Sequence, residues 1–165
     1  MQHSNFKDKF KNDKWLRREY NADGILQKTQ GGEAEMRADM MLVDEYGKNG
    51  WEIGKESYWK GRSNKVEIDM LNMEKGIVVE TKCGLPKNAK TLEEWLTSDN
   101  FKDWLNARVT GLKNNGLLDE TNKFKLMITK EMLGSMSKEE AEELLNKMLR
   151  SEGINWEGEI GVIEW

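Results

Sequence analysis

The sequence predicts an α/β protein of the α+β kind, in which helices flank a central mixed β-sheet within a single domain over residues 1–165. Two observations predict it. Short apolar or alternating runs of strand length recur along the chain, and amphipathic stretches with capping signals lie between the later ones. Because three strand-like runs come first and helix–strand crossovers follow, the sheet must combine antiparallel and parallel pairs. A length of 165 residues with 37% hydrophobic content suffices for one core.

The first thirty residues are predicted to form a helical arm, and residues 31–165 the core. In the arm, aromatic residues such as Phe10 and Trp15 stand among lysines and arginines until Asn21–Gly24 breaks the pattern. The core opens with a predicted helix over Glu33–Tyr46, whose alanines, methionines and leucine form a broad apolar surface and which ends near Gly47–Gly50.

Three strands follow this helix. The first strand is predicted at Trp51–Lys60, and the turn after it at Gly61–Asn64. Val66–Leu71 alternates apolar and polar residues, and Ile77–Lys82 is a β-branched run that ends in Glu-Thr-Lys. The turn between the last two runs falls at Asn72–Gly76, so they predict an antiparallel hairpin.

Helices and strands alternate after the hairpin. Thr91 with Glu94 predicts a capped helix that Ser98–Asn100 splits in two, and Ser137 with Glu140 predicts another capped helix, which stops at Gly153. The two remaining strands are predicted at Phe124–Thr129 and Glu159–Trp165.

The hairpin carries the candidate chemistry. In an antiparallel pair Asp69 and Glu80 fall near each other on one face, and Lys82, two residues further, shares that face. Two carboxylates and a lysine on rigid strands predict a site for a divalent metal ion and phosphate chemistry. The alternative is a surface hairpin with ordinary cross-strand charge pairs. The metal site is favoured because Glu80 interrupts an apolar run and begins the only Glu-X-Lys triplet in the chain.

Composition excludes other chemistries. Cys83 and His3 are the only residues of their types, so a disulfide, a cysteine-based zinc site and a serine–histidine or cysteine–histidine mechanism are not expected. The net charge of −4 argues against binding nucleic acid by bulk charge, although the stretch from Lys55 to Lys90 is locally basic. No apolar run reaches membrane-spanning length, so we expect no membrane segment.

The element order, together with Asp69 and Glu80-Thr81-Lys82, resembles the PD-(D/E)XK nuclease superfamily, which has the restriction-endonuclease fold. In that family a helix precedes a three-strand meander whose second and third strands carry an Asp and a (D/E)-X-K triplet. The resemblance covers Gly31 to Lys82 by motif and the rest by element order. It implies an αβββαβ core with an added C-terminal helix and strand. The residue before Asp69 is Ile68 where the family motif has proline.

The resemblance also implies roles for the residues. Asp69 and Glu80 would bind Mg²⁺, with Mn²⁺ or Zn²⁺ as alternatives, and Lys82 would orient or deprotonate the attacking water. A glutamate on the first helix would be the fourth catalytic residue and a further metal ligand; Glu35 is the best match and Glu33 the second. Beside the turn before the motif strand, phosphate-contacting residues are expected at Lys60, Arg62 and Ser63.

The function expected from this resemblance is a Mg²⁺-dependent endonuclease that cleaves nucleic acid, with DNA favoured over RNA. Its expected setting is a toxic effector domain that acts in the cytoplasm, delivered as part of a larger secreted protein and paired with an immunity protein. Two alternatives remain open. One is a structure-selective resolvase or repair nuclease; the other is a non-catalytic module of the same fold that binds a partner protein.

Overall fold

The computed structural model of the protein describes residues 30–58 and 65–164. The predicted N-terminal arm therefore lies outside the described residues, apart from Gln30. No helix in the described ranges is both long enough and apolar enough to cross a membrane. A short 3-10 helix precedes the fourth strand, and the main elements are α1 (Gln30–Tyr46), β1 (Trp51–Tyr58), β2 (Lys65–Asn72), β3 (Ile77–Lys82), α2 (Leu92–Leu96), α3 (Asp99–Asn114), β4 (Lys123–Thr129), α4 (Lys130–Leu133), α5 (Lys138–Ser151) and β5 (Glu157–Ile163).

The five strands form one mixed sheet in the order β1-β2-β3-β4-β5. β1, β2 and β3 are an antiparallel meander, whereas β3, β4 and β5 run parallel to one another. This arrangement confirms the predicted mixed sheet with flanking helices. It follows from the connections: the tight turn after Asn72 returns the chain antiparallel, and the helical crossovers after Lys82 and Thr129 return it parallel.

Helices cover both faces of the sheet, and each face has its own apolar core. α1 lies on one face, where Ala34, Ala38 and Leu42 are buried at four-residue spacing against Val79 and Met127. α2, α3 and α5 lie on the opposite face, over a larger cluster whose buried members include Val78, Leu105, Phe124, Leu126, Leu145 and Ile160. Consecutive residues of β3 and β4 therefore enter different cores, as the strand period of two requires.

Side-chain caps begin the helices where the sequence predicts them. The Thr91 hydroxyl accepts a hydrogen bond from the Glu94 amide, and Ser98 caps the second half of the split helix at Phe101. Ser137 caps α5 in the same way by accepting from the Glu140 amide. These contacts satisfy amide groups that have no partner within the helix, and the helices therefore begin where they are predicted to begin.

The structure differs from the prediction in the bounds of several elements and in two short helices. β5 begins at Glu157 rather than Glu159, because its ladder with β4 starts at the pair Lys123–Glu157. The 3-10 turn at Leu118–Glu120 and the short helix Lys130–Leu133 were not predicted. Both are only one turn long, too short to show an apolar period in the sequence, and they depend on the strands that they flank.

Gly76 is the turn residue that sets the β2–β3 hairpin against β4. It has φ of +67°, and its carbonyl accepts hydrogen bonds from the Asn122 and Lys123 amides. A Cβ built on Gly76 lies 2.7 Å from the backbone oxygen of Glu120. Alanine is therefore excluded by both backbone conformation and space.

We expect Gly76→Ala to lower the free energy of unfolding by about 2–3 kcal/mol, more than the roughly 1 kcal/mol for a positive φ alone. Urea denaturation measures the loss. Gly116→Ala is the matched control, because Gly116 has φ of +70° with no atom within 4 Å of an added Cβ. Equal losses in the two variants would contradict the role given to the Glu120 contact.

Candidate metal-binding site

The carboxylates of Asp69 and Glu80 lie together where the β2–β3 ladder ends. The ladder pairs Met70–Asn72 with Ile77–Val79. At the next position Asp69 Oδ2 accepts a hydrogen bond from the Thr81 amide at 2.8 Å, and the Asp69 carboxylate is close enough to Glu80 to raise the pKa of that residue. The two carboxylates thus lie near each other, and the Asp69 side chain replaces a ladder contact between the strands.

Glu80 is almost completely buried, with 2% of its surface exposed. Burial raises its pKa well above the usual range, and the adjacent Asp69 carboxylate raises it further, while Arg108 acts in the opposite direction. A buried carboxyl group close to a second carboxyl group retains a proton or needs a nearby cation. Glu80 thus has the electrostatic character of a group that binds a proton or a cation.

Arg108 on α3 supplies the nearest positive charge. Its Nε donates to Glu80 Oε1 at 2.7 Å, and its Nη1 donates to the Trp104 carbonyl at 3.1 Å. The Arg108 guanidinium also lies over the Trp104 ring, 3.9 Å from the centroid. Because 12% of the arginine side chain and 3% of the glutamate side chain are exposed, the ion pair is shielded from water.

Lys82 extends from β3 on the face that carries Glu80. Its Nζ lies 5.4 Å from the Trp104 ring centroid and 6.0 Å from that of Trp95. Aromatic faces attract cations at such distances, so the two tryptophans attract the lysine on the face of the sheet that α3 covers. The side chain is half-buried. Lysine, carboxylates and arginine thus share one end of the β2–β3 hairpin.

The donor set fits a hard divalent cation. Asp69 and Glu80 offer carboxylate oxygens, and Mg²⁺ in proteins commonly takes one or two carboxylates with water and phosphate completing its octahedron. Zn²⁺ prefers nitrogen and sulfur ligands, and Cys83 packs against the core on the α1 face. The residues present therefore fit Mg²⁺ or Mn²⁺ better than Zn²⁺.

The other predicted site residues have different outcomes. Glu35 is half-buried on α1, the helix that covers the opposite face of the sheet. Within residues 30–58 and 65–164 no three His, Cys, Asp or Glu side chains form a group able to hold a metal ion. Glu35 as a ligand thus stays a prediction. Lys60, Arg62 and Ser63 lie outside the described residues, as does the side chain of Glu33.

A second charged cluster lies on the α1 face and has a structural role. Lys125 is paired with Glu45 at 2.5 Å and with Glu159 at 3.7 Å, and Lys123 with Glu159 at 2.9 Å. Burial favours neutral Glu159, but Lys123 and Lys125 outweigh it and lower its pKa. Glu45, Lys125 and Glu159 of this cluster line a groove of about 460 Å³. Because its opposite charges pair with one another across α1, β4 and β5, they join the helix to the sheet.

Arg108 is the functional residue that the sequence interpretation missed. The sequence does contain an indication of its role. Arg108 lies four residues after Trp104 and four before Leu112, on the apolar stripe of a predicted helix. A charged residue in such a stripe indicates a buried partner of opposite charge. Glu80, which interrupts an apolar strand in the same way, was the complementary signal.

Comparison of the chain with protein-family models, with curated proteins and with solved structures yields no match.

Proposed function

We propose that the protein is a metal-dependent endonuclease that hydrolyses phosphodiester bonds of nucleic acid, with DNA as the favoured substrate. The observation that carries this proposal is the close approach of the Asp69 and Glu80 carboxylates on two neighbouring strands, with Lys82 on the same face of β3 as Glu80. Buried like charges destabilise a fold, and strain of this kind is commonly retained at a functional site.

Each residue has a role in the proposed reaction. Asp69 and Glu80 would hold Mg²⁺, which when bound supplies a Lewis acid for the phosphate and a more acidic water. The Thr81 amide fixes the Asp69 carboxylate, so that this ligand is oriented in advance. The Lys82 ammonium, placed by its two tryptophans, would position the attacking water and offset negative charge on the phosphate.

Plasmid cleavage in Mg²⁺ tests this proposal. We expect nicking by the wild-type protein, none in EDTA, and a fall of about 10²–10⁴-fold for Lys82→Met, the range that one acid–base group contributes. Asp69→Asn should lose activity to the same extent or more. Labelled RNA incubated in parallel would report the choice of polymer.

Lys147→Met and Asp119→Asn are the matched controls, since both residues are exposed and belong to elements other than the two strands that carry Asp69, Glu80 and Lys82. Their cleavage rates should equal that of the wild type. Nicking that survives Lys82→Met and Asp69→Asn would come from a contaminant or another site, and the assignment would then be wrong.

One observation favours a second candidate, a non-catalytic module of the same fold. The ion pair between Arg108 and Glu80 resembles a structural pair that neutralises a buried acid. On this alternative no divalent ion binds, and neither DNA nor RNA is cleaved under any condition above. The toxin setting, the immunity partner and the resolvase alternative stay predictions.

A further inference from the structure

Three contacts fix the Arg108 guanidinium beside Glu80. Besides the bond to Glu80 Oε1, the Trp104 carbonyl accepts from Nη1 and the Trp104 ring covers the guanidinium plane. Two of these three contacts do not involve the carboxylate. They keep the positive charge beside Glu80 even when the bond to Oε1 is weakened.

We infer that Arg108 opposes metal binding at the Asp69–Glu80 pair, so that the site binds a divalent cation weakly by itself and more strongly together with an anionic phosphate. This inference rests on the proposed function. The Arg108 Nε–H takes up Glu80 Oε1, the oxygen that an entering ion would need. The fixed guanidinium also repels a second cation at short range, in a place that solvent screens poorly.

The phosphate dependence follows from the sum of charges. Asp69 and Glu80 provide two carboxylates, and Arg108 with Lys82 provides two cations nearby, so a divalent ion alone leaves the site with excess positive charge. A phosphodiester brings the missing negative charge. By linkage, metal binding and phosphate binding then strengthen each other by the same factor. Arg108 is in this sense a positioning residue that couples cation to substrate.

The test measures binding of Mn²⁺ alone by calorimetry to the full chain. Arg108→Gln, which removes the charge and keeps a hydrogen-bonding group, should bind Mn²⁺ at least tenfold more tightly than the wild type. Arg108→Lys keeps the charge and should bind no more than about threefold differently from the wild type. Arg150→Gln is the matched control at an exposed position near the end of α5 and should leave Kd unchanged.

A second measurement uses the wild-type protein and so does not depend on folding of the variants. The chain has six arginines, and their Nε–H groups give resolved signals in nitrogen–proton NMR spectra. The Arg108 signal, assigned with Arg108→Lys, should move as Mg²⁺ is added, because the ion withdraws charge from the oxygen that accepts this proton. The same titration of Glu80→Gln should leave the signal in place.

The outcomes separate this inference from the proposed function. If the wild type binds Mn²⁺, Asp69→Asn does not, and Arg108→Gln binds no more tightly than wild type, the metal site stands and the role of Arg108 is overturned. An Arg108 signal that stays fixed at saturating Mg²⁺ overturns it equally. If neither the wild type nor Arg108→Gln binds Mn²⁺ or Mg²⁺ at millimolar concentrations, the proposed metal site fails and the inference fails with it.

Discussion

Replacing Glu80 by glutamine is expected to abolish cleavage while leaving the fold as stable as the wild type or more stable at neutral pH. Glutamine has nearly the same shape, and its carbonyl oxygen still accepts from Arg108 Nε. It removes a group whose charged form is disfavoured by burial and by the neighbouring Asp69 carboxylate, the two causes of the raised Glu80 pKa. Loss of a metal ligand without loss of stability is the behaviour expected of a functional residue.

The sign of the pH effect follows from the raised pKa. In the unfolded chain Glu80 ionises near its usual pKa of 4.5, whereas in the folded protein it retains its proton to a higher pH. Between these two values the folded state binds more protons than the unfolded state. The contribution of Glu80 to stability therefore falls as pH rises through this window and levels off above the folded pKa. The slope cannot exceed about 1.4 kcal/mol per pH unit for one group.

Urea denaturation of wild type and Glu80→Gln from pH 4 to 9 checks this. The difference between their free energies of unfolding isolates Glu80 from the other titrating groups, and it should shift in favour of the variant as pH rises. Glu143→Gln, at an exposed site on α5, is the control, and its free energy of unfolding should have the same pH dependence as that of the wild type. A variant that becomes less stable than the wild type at high pH would mean that the charged Glu80 stabilises the fold.

The sequence predicted those features that depend on neighbouring residues. The β2–β3 hairpin follows from the alternation before Asn72, the β-branched run after Gly76 and the turn between them. The predicted caps at Thr91 and Ser137 are side-chain contacts within one helical turn, and the predicted break at Ser98–Asn100 is a local signal of the same range. Asp69 and Glu80 could be paired because hairpin register fixes which residues face each other.

Features set by distant parts of the chain could not be predicted in the same way. The contact of Arg108 with Glu80 depends on how α3 crosses the sheet, twenty-eight residues further along the chain. The start of β5 depends on a ladder with β4 rather than on its own composition. The placement of α1 on the face opposite α3 likewise depends on three-dimensional packing. The motif alone therefore could not predict the position of Glu35 relative to Asp69 and Glu80.

Trp104→Ala is expected to have the largest combined effect on stability and activity. The Trp104 ring lies 5.5 Å from that of Phe101 and 6.0 Å from that of Phe124, and it also contacts Lys82 and Arg108. Truncation should lower the free energy of unfolding by about 3 kcal/mol, the lower end for a tryptophan because this one is half-buried. Cleavage at a temperature well below the unfolding midpoint should fall about tenfold or more, the effect of some 1.4 kcal/mol in the barrier.

Trp156→Ala separates the two effects. Trp156 stacks on Phe124 with ring centroids 5.8 Å apart and is buried, so its loss should cost about 3–5 kcal/mol in stability. The cation contacts of the hairpin site belong to Trp104 and Trp95 instead, and cleavage by folded Trp156→Ala should therefore match the wild type. Trp104→Phe, which keeps an aromatic face, should recover most of the lost rate. Equal cleavage rates for Trp104→Ala and Trp156→Ala would show that Trp104 only fills the core. A lower rate for Trp104→Ala alone would identify the Trp104 ring as the support that positions Lys82 and Arg108.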